Sequence, residues 1–283
     1  MKRIEAIAAG VFASGWLVFA PNAWPGLPAA ACYAGGIALA VAAMLALARL
    51  HKEGLEGFGV RRPNAEHAKD AIALFGLLII PAIALRLALP SFDSWYAGLY
   101  GLATLKSLYN MAFWVLPLAL VFEELAVRGL VHSRAIAAAG NNAWTLAGIA
   151  LFFALMHIGL AGYSPSLEFT AGAMLTILAY SLAISFLYQK TQSLVATGLF
   201  HFLLNYASAA QTYLHASEQL ASETALWALW ALVFAAAWKR NAALLSSFGA
   251  FAGKTKPIAW KSAAWLVALA AIPLAVNELA KWV

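Results

Sequence analysis

Charge is what this chain lacks most. Only 11% of its 283 residues are Asp, Glu, Lys or Arg, while 64% are hydrophobic. A soluble globular domain carries about 25% charged and about 45–50% apolar residues. That class is therefore excluded, and a polytopic membrane protein is expected. Cysteine is nearly absent. Cys32 stands alone, which excludes an intrachain disulfide framework and a cysteine-rich metal site. Within its apolar run it reads as a small buried hydrophobe. The sequence has no internal repeat, no low-complexity segment and no soluble domain. Its basic residues sit in short loops between apolar runs, so the net charge of +6 does not point to nucleic acid as a partner.

What is present is long apolar runs. A membrane-crossing helix needs about 20 of them in succession. Candidates lie near 4–20, 28–48, 70–90, 105–134, 144–161, 167–188, 193–214, 224–238 and 262–280. The 11 tryptophans suit rings anchored at both membrane interfaces. Lys2 and Arg3 before the first run resemble the start of a signal peptide. No small-x-small cleavage site precedes Pro21, so an uncleaved helix is expected there, and the count is eight to nine spans.

Loop charge orients them. With the N-terminus inside, the cytoplasmic flanks hold Lys2, Arg3, Arg49, Lys52, Arg61, Arg62, Lys69, Arg134, Lys190, Lys239, Arg240, Lys254, Lys256 and Lys261, which is 14 of the 18 basic residues. The outer loops near 21–27, 91–104, 162–166 and 215–223 contain neither Lys nor Arg, as the positive-inside rule requires. The stretch 21–28 reads as a tight outer loop, 51–66 as a polar cytoplasmic loop, and 240–257 as a basic loop with an apolar patch along the interface. The expected fold is all-α: one integral membrane domain over 1–283, a polytopic transmembrane helix bundle with its N-terminus cytoplasmic. The expected location is a bacterial inner membrane.

Against this background a few polar residues stand out. Glu123, Glu124 and Arg128 lie inside the run VLPLALVFEELAVRGLV, His157 inside FFALMHIGL, and His201 and Asn205 inside LFHFLLN. An ionisable residue at a helix centre costs about 2.5–3.5 kcal/mol on insertion scales, and such residues mark relays, transport paths or catalytic sites. Their depths coincide. Glu124 is ten residues from the interfacial Arg134. His157 is ten residues beyond the mirror of Arg134 across the turn at Gly140, and His201 is eleven beyond Lys190. At about 1.5 Å per residue all three lie roughly 15 Å in, near mid-bilayer. Residues four apart share a helix face. Glu124 and Arg128 are therefore expected to pair, with Glu123 pointing about 100° away into a cavity. His201 and Asn205 are expected to face one point.

Each residue alone also has a structural reading. A histidine can bond to a neighbouring helix, a Glu–Arg pair can glue a turn, and an asparagine can be packing polarity. Their coincidence at one depth favours a site. The remaining polar residues keep bland readings, among them His51 and His67 in the cytoplasmic loop and His132 near the inner interface.

These motifs, Glu123-Glu124-x-x-x-Arg128, Phe153-x-x-x-His157 and His201-x-x-x-Asn205, each on its own helix and in this order, resemble the CPBP family. That family groups type II CAAX prenyl endopeptidases with bacteriocin-processing and self-immunity proteins. The resemblance spans 123–205, within core helices at about 105–214. It implies an intramembrane glutamic endopeptidase acting on a membrane-associated or lipidated protein or peptide. Glu123 would be the general base, His157 would position the water, His201 and Asn205 would bind the oxyanion, and Glu124 and Arg128 would order the site. A carboxylate in an apolar cavity and buried amide and imidazole donors suit that chemistry. Glu123, His157 and His201 could instead hold zinc with a position left for water. The lack of an H-E-x-x-H motif and the poor ligand character of Asn favour a mechanism without a cofactor. Two further readings stay open: a proton-coupled transporter, which usually shows repeats and broken helices, and a catalytically silent member that binds a partner.

Overall fold

A computed structural model describes residues 1–23, 27–62, 64–88, 116–158, 167–208 and 260–282. Every regular element among them is helical. In chain order these are α1 (Lys2–Ala23), α2 (Ala29–His51), a 3₁₀ turn (Leu55–Phe58), α3 (Ala65–Ala88), α4 (Leu116–Glu123), a π-helical segment (Glu124–His132), α5 (Ser133–Ala139), α6 (Ala143–Met156), α7 (Leu167–Thr191), α8 (Leu194–Ser208) and α9 (Trp260–Ala280). The expected run at 224–238, the basic loop at 240–257 and the outer loops at 91–104, 162–166 and 215–223 lie outside the described residues.

Helices α1, α2 and α9 contain stretches long and apolar enough to cross a bilayer: Lys2–Ala20, Ala30–His51 and Lys261–Ala280. Their surfaces carry exposed Val11, Leu39, Val41, Leu45 and Val267, an outer face that suits lipid. The chain is an integral membrane protein. The run expected at 144–161 begins with α6, 14 residues to Met156 and about 21 Å of rise, and its last residues, 159–161, lie outside the described residues.

α1 packs against the π segment and α9, α2 against α4, α6 against α7 and α9, and α8 against α3. One core cluster joins α1, α2, the π segment, α6 and α9, with Phe122, Val127, Ile149, Phe152 and Leu269 fully buried. α2 can approach α1 and α4 only because position 36 has no side chain. A Cβ on Gly36 would come within 2.6 Å of Trp16 and 2.8 Å of Phe122.

The wide segment matters most for the site. In a π-helix the backbone bonds run from i to i+5, and here the Ser133 N–H reaches the Arg128 carbonyl. Residues four apart therefore no longer lie directly above one another. All of Ala126, Val127, Arg128, Gly129, Leu130, Val131 and His132 are buried.

At its C-terminal end this helix meets the loop after α2, which is not merely polar. Phe58 is fully buried, and the Arg134 guanidinium lies 4.2 Å from its ring centroid. Arg134 also pairs with Glu53 and donates to the Gly57 carbonyl. The same loop takes a hydrogen bond from Leu194 N–H, the first residue of α8, on the Gly59 carbonyl at 2.9 Å. Gly59 sits at φ +82°, with Tyr188 against the place a Cβ would occupy. The loop thus ties α5 to α8. His51, expected in the loop, ends α2 and pairs with Glu5 of α1 at 2.7 Å. Cys32 is buried, as expected.

Candidate active site

The site forms where three helices bring their polar residues together. Glu123 ends α4 and Glu124 opens the π segment. His201 comes from α8 and stands between the two carboxylates. Its Nδ1 is 2.9 Å from Glu124 Oε1, and its Nε2 is 3.7 Å from Glu123 Oε2. The three side chains are nearly sealed off, but unequally. Glu123 keeps 11% exposure, His201 6% and Glu124 4%. Glu123 is thus the more accessible carboxylate.

Phe153 of α6 is the hub on the other side. Its ring packs at a tilt against His157, 4.6 Å between centroids, and meets His201 edge-on at 5.9 Å. The Arg128 guanidinium lies 4.2 Å from its centroid. The end of α6 explains how His157 is held. Helix ends leave carbonyls without backbone partners. Here the His157 N–H bonds to the Ala154 carbonyl at 3.1 Å, one residue short of the α-helical register. That frees the Phe153 carbonyl, which takes the His157 Nδ1 at 2.8 Å. A carbonyl only accepts, so His157 carries its hydrogen on Nδ1 and a neutral ring leaves Nε2 as an acceptor.

One expectation needs correction. Glu124 and Arg128 do not form the expected ion pair. Glu124 is bonded to His201, and the three guanidinium nitrogens of Arg128, fully buried, have no hydrogen-bond partner. The physical reason is the widened helix, in which a four-residue step is less than a full turn, so Arg128 is turned onto Phe153. Glu123, expected to face a cavity, has His201 Nε2 3.7 Å from its Oε2. Both carboxylates flank the same imidazole. Arg128 still acts on Glu124 and Glu123 through its charge.

Asn205 lies one turn after His201 on α8, and its side chain is outside the described residues. The donors Glu123, His157 and His201 do not converge as a metal site would need. No group of three His, Cys, Asp or Glu side chains placed to hold a metal ion occurs among the described residues.

Sequence reasoning missed some neighbours. Tyr33 of α2 packs its ring 6.2 Å from Phe122, beside Glu123, and is close enough to feel the Glu123 charge. Another is His132, read only as a residue near the inner interface. It is fully buried, both ring nitrogens lack hydrogen-bond partners, and its ring lies 4.8 Å from that of Tyr188. Tyr33 carries no sequence signal. His132 does: it lies one turn beyond Arg128 on the same run, where a buried column could have been inferred.

Residues 105–207 match the family model described as Rce1-like, type II CAAX prenyl endopeptidase Rce1-like. The matched stretch contains all three motifs and leaves α1, α2, α3 and α9 outside. No curated protein and no solved structure matches the chain.

Proposed function

We propose, from the match of residues 105–207 to the model of Rce1-like type II CAAX prenyl endopeptidases, that the protein is an intramembrane endopeptidase using a glutamate-activated water. Its substrate would be a membrane-associated or lipidated protein or peptide, cut at a peptide bond within reach of the bilayer. In this reading the chain crosses a bacterial inner membrane eight or nine times with its N-terminus in the cytoplasm.

The observation that carries the reading is the convergence of Glu123, Glu124 and His201 from two helices, with Phe153 and His157 from a third. Glu123 is the general base. As the more accessible carboxylate, it can take a proton from a water that enters the site. The unprotonated Nε2 of His157 accepts a hydrogen bond from that water and aims its oxygen at the scissile carbonyl. The Asn205 amide can donate to the developing oxyanion whatever its surroundings, since an amide N–H₂ is always a donor. Preformed donors in a dry site stabilise such charge strongly. Glu124 and Arg128 order these groups, Glu124 through His201 and Arg128 through the Phe153 ring.

The test is cleavage of an internally quenched farnesylated peptide ending in a CAAX box by purified protein in lipid nanodiscs. Glu123→Ala and His157→Ala should each lower kcat by about 10²–10⁴-fold, the usual contribution of a general acid–base group, while the proteins keep wild-type helicity and thermal transition. Full activity in Glu123→Ala would sink the reading.

A further inference from the structure

Exposure around Glu123 is one-sided, and the side it opens on is lined by a helix that none of the three motifs includes. From Ala126 to His132 every side chain is buried. In the other direction Val121 is 43% exposed, and Tyr33 of α2 is only part-buried. α2 runs parallel to α4 and the π segment, because its Gly36 lies against Phe122 and its Met44 against Gly129. Tyr33 comes three residues before Gly36, on the same face of α2, and so sits at the open side of Glu123. Its place is well held. The ring lies 6.2 Å from that of Phe122, which also packs against Phe12 and Trp16 of α1 at 6.2 and 6.3 Å. The Trp16 indole N–H donates to the Cys32 carbonyl at 3.0 Å, tying down the backbone next to Tyr33. The phenol is close enough to Glu123 to feel its charge. Ring packing alone would ask only for phenylalanine, whereas a hydroxyl in such a setting needs a hydrogen-bond partner.

A peptide drawn into a membrane-embedded site gives up water, and its backbone groups then need partners. Two of the polar contacts at the site are already committed inside the protein: Glu124 to His201, and His157 Nδ1 to the Phe153 carbonyl. Resting on the peptidase reading, we propose that Tyr33 is a substrate-contact residue supplied from outside the matched stretch 105–207: its hydroxyl donates a hydrogen bond to a backbone carbonyl of the peptide next to the scissile bond, and its ring is the wall along which the peptide reaches Glu123. The carbonyl it holds belongs to a neighbouring residue of the peptide, not to the bond being cut. Substrate choice then depends on α2 as well as on the three motif helices.

Two measurements on the full chain in lipid nanodiscs test this. Tyr33→Phe keeps the ring on Phe122 and removes only the donor. With the quenched farnesylated peptide it should raise KM about three- to tenfold, the worth of one neutral hydrogen bond, with kcat within a factor of about two, as when a contact made equally in the ground and transition states is lost. Unchanged KM would overturn the proposal. So would a fall in kcat at constant KM, which would put the hydroxyl to work on Glu123 and not on the peptide. For the second measurement, p-azidophenylalanine replaces Tyr33 in the Glu123→Ala chain, so that the peptide is held and not cut. Ultraviolet light should join a biotinylated form of the same peptide to position 33, and excess unlabelled peptide should suppress the product. The same probe in place of Val11, exposed on the outer face of α1, should give at most about a tenth of the yield. Equal yields at the two positions would overturn the proposal. A wild-type chain that leaves the peptide intact while position 33 still captures it counts against the peptidase reading alone. Cleavage with neither the KM change nor the capture counts against Tyr33 alone.

Discussion

Arg128 and Arg134 lie on one continuous helix, both fully or almost fully buried, each 4.2 Å from the centroid of a phenylalanine ring. Beyond that they differ. Arg134 has the Glu53 carboxylate, the Gly57 carbonyl and the Ser133 hydroxyl around it. The Arg128 guanidinium has no hydrogen-bond partner. A buried charge without hydrogen bonds is destabilising, whereas a satisfied one is tolerated. The contrast separates two uses of the same side chain. Near the C-terminal end, the arginine closes a loop onto the bundle. At mid-helix its charge acts through space on two carboxylates, and its position is set by stacking rather than by a fork of hydrogen bonds.

If that distinction is right, the two arginines should fail differently. Arg128→Lys keeps the charge but loses the flat face that stacks on Phe153. It should lower kcat by about 100-fold, a loss of about 2.7 kcal/mol of transition-state stabilisation. Arg134→Met should leave kcat within a factor of about two but lower stability by about 2–3 kcal/mol, toward the lower end of what breaking a buried pair costs because Glu53 is partly exposed. Peptide cleavage and thermal unfolding in nanodiscs check both arms. Equal effects on both readouts would erase the distinction.

The two rings extend the test at smaller scale. Phe153→Leu removes the surface shared by Arg128, His157 and His201 and should lower kcat about tenfold, roughly 1.4 kcal/mol. Phe58→Leu should shift only the thermal transition, by about 1–2 kcal/mol of lost ring packing and cation–π contact. Away from both arginines, Gly36→Ala should destabilise by about 1–3 kcal/mol through overpacking against Trp16 and Phe122, with kcat unchanged in the protein that remains folded.

That His201 and the two glutamates would meet was legible in the sequence, and direction around the helix was not. Counting from Arg134, Gly140 and Lys190 put Glu124, His157 and His201 at one level because helical rise is nearly constant, and the contacts of His201 with both glutamates agree with that count. The pairing of Glu124 with Arg128 failed because it assumed α-helical turns where the segment from Glu124 to His132 is wider. No residue pattern announces such widening. It depends on what packs around it. The same holds for His132, whose burial needs Tyr188 of α7, and for Arg134, whose partners come from a loop 77–81 residues earlier. That loop did carry one clue: Phe58, a large aromatic between two glycines in a polar stretch. Phe153 was quoted in its motif without a task, since its role comes from three neighbours on separate elements.

The end of α6 carries a consequence for how such a site can change over generations. His157 is oriented by the peptide oxygen of Phe153, not by another side chain. No single-codon substitution deletes a main-chain carbonyl. Replacing Phe153 strips away its ring but leaves the acceptor, and replacing residues on neighbouring helices does not reach it. The orientation of His157 is thus insulated from mutation, while that of His201 is held by one side-chain carboxylate, Glu124. Lineages that lose or alter the activity should then vary first on the Glu124–His201 side, with the His157 side persisting as a relic.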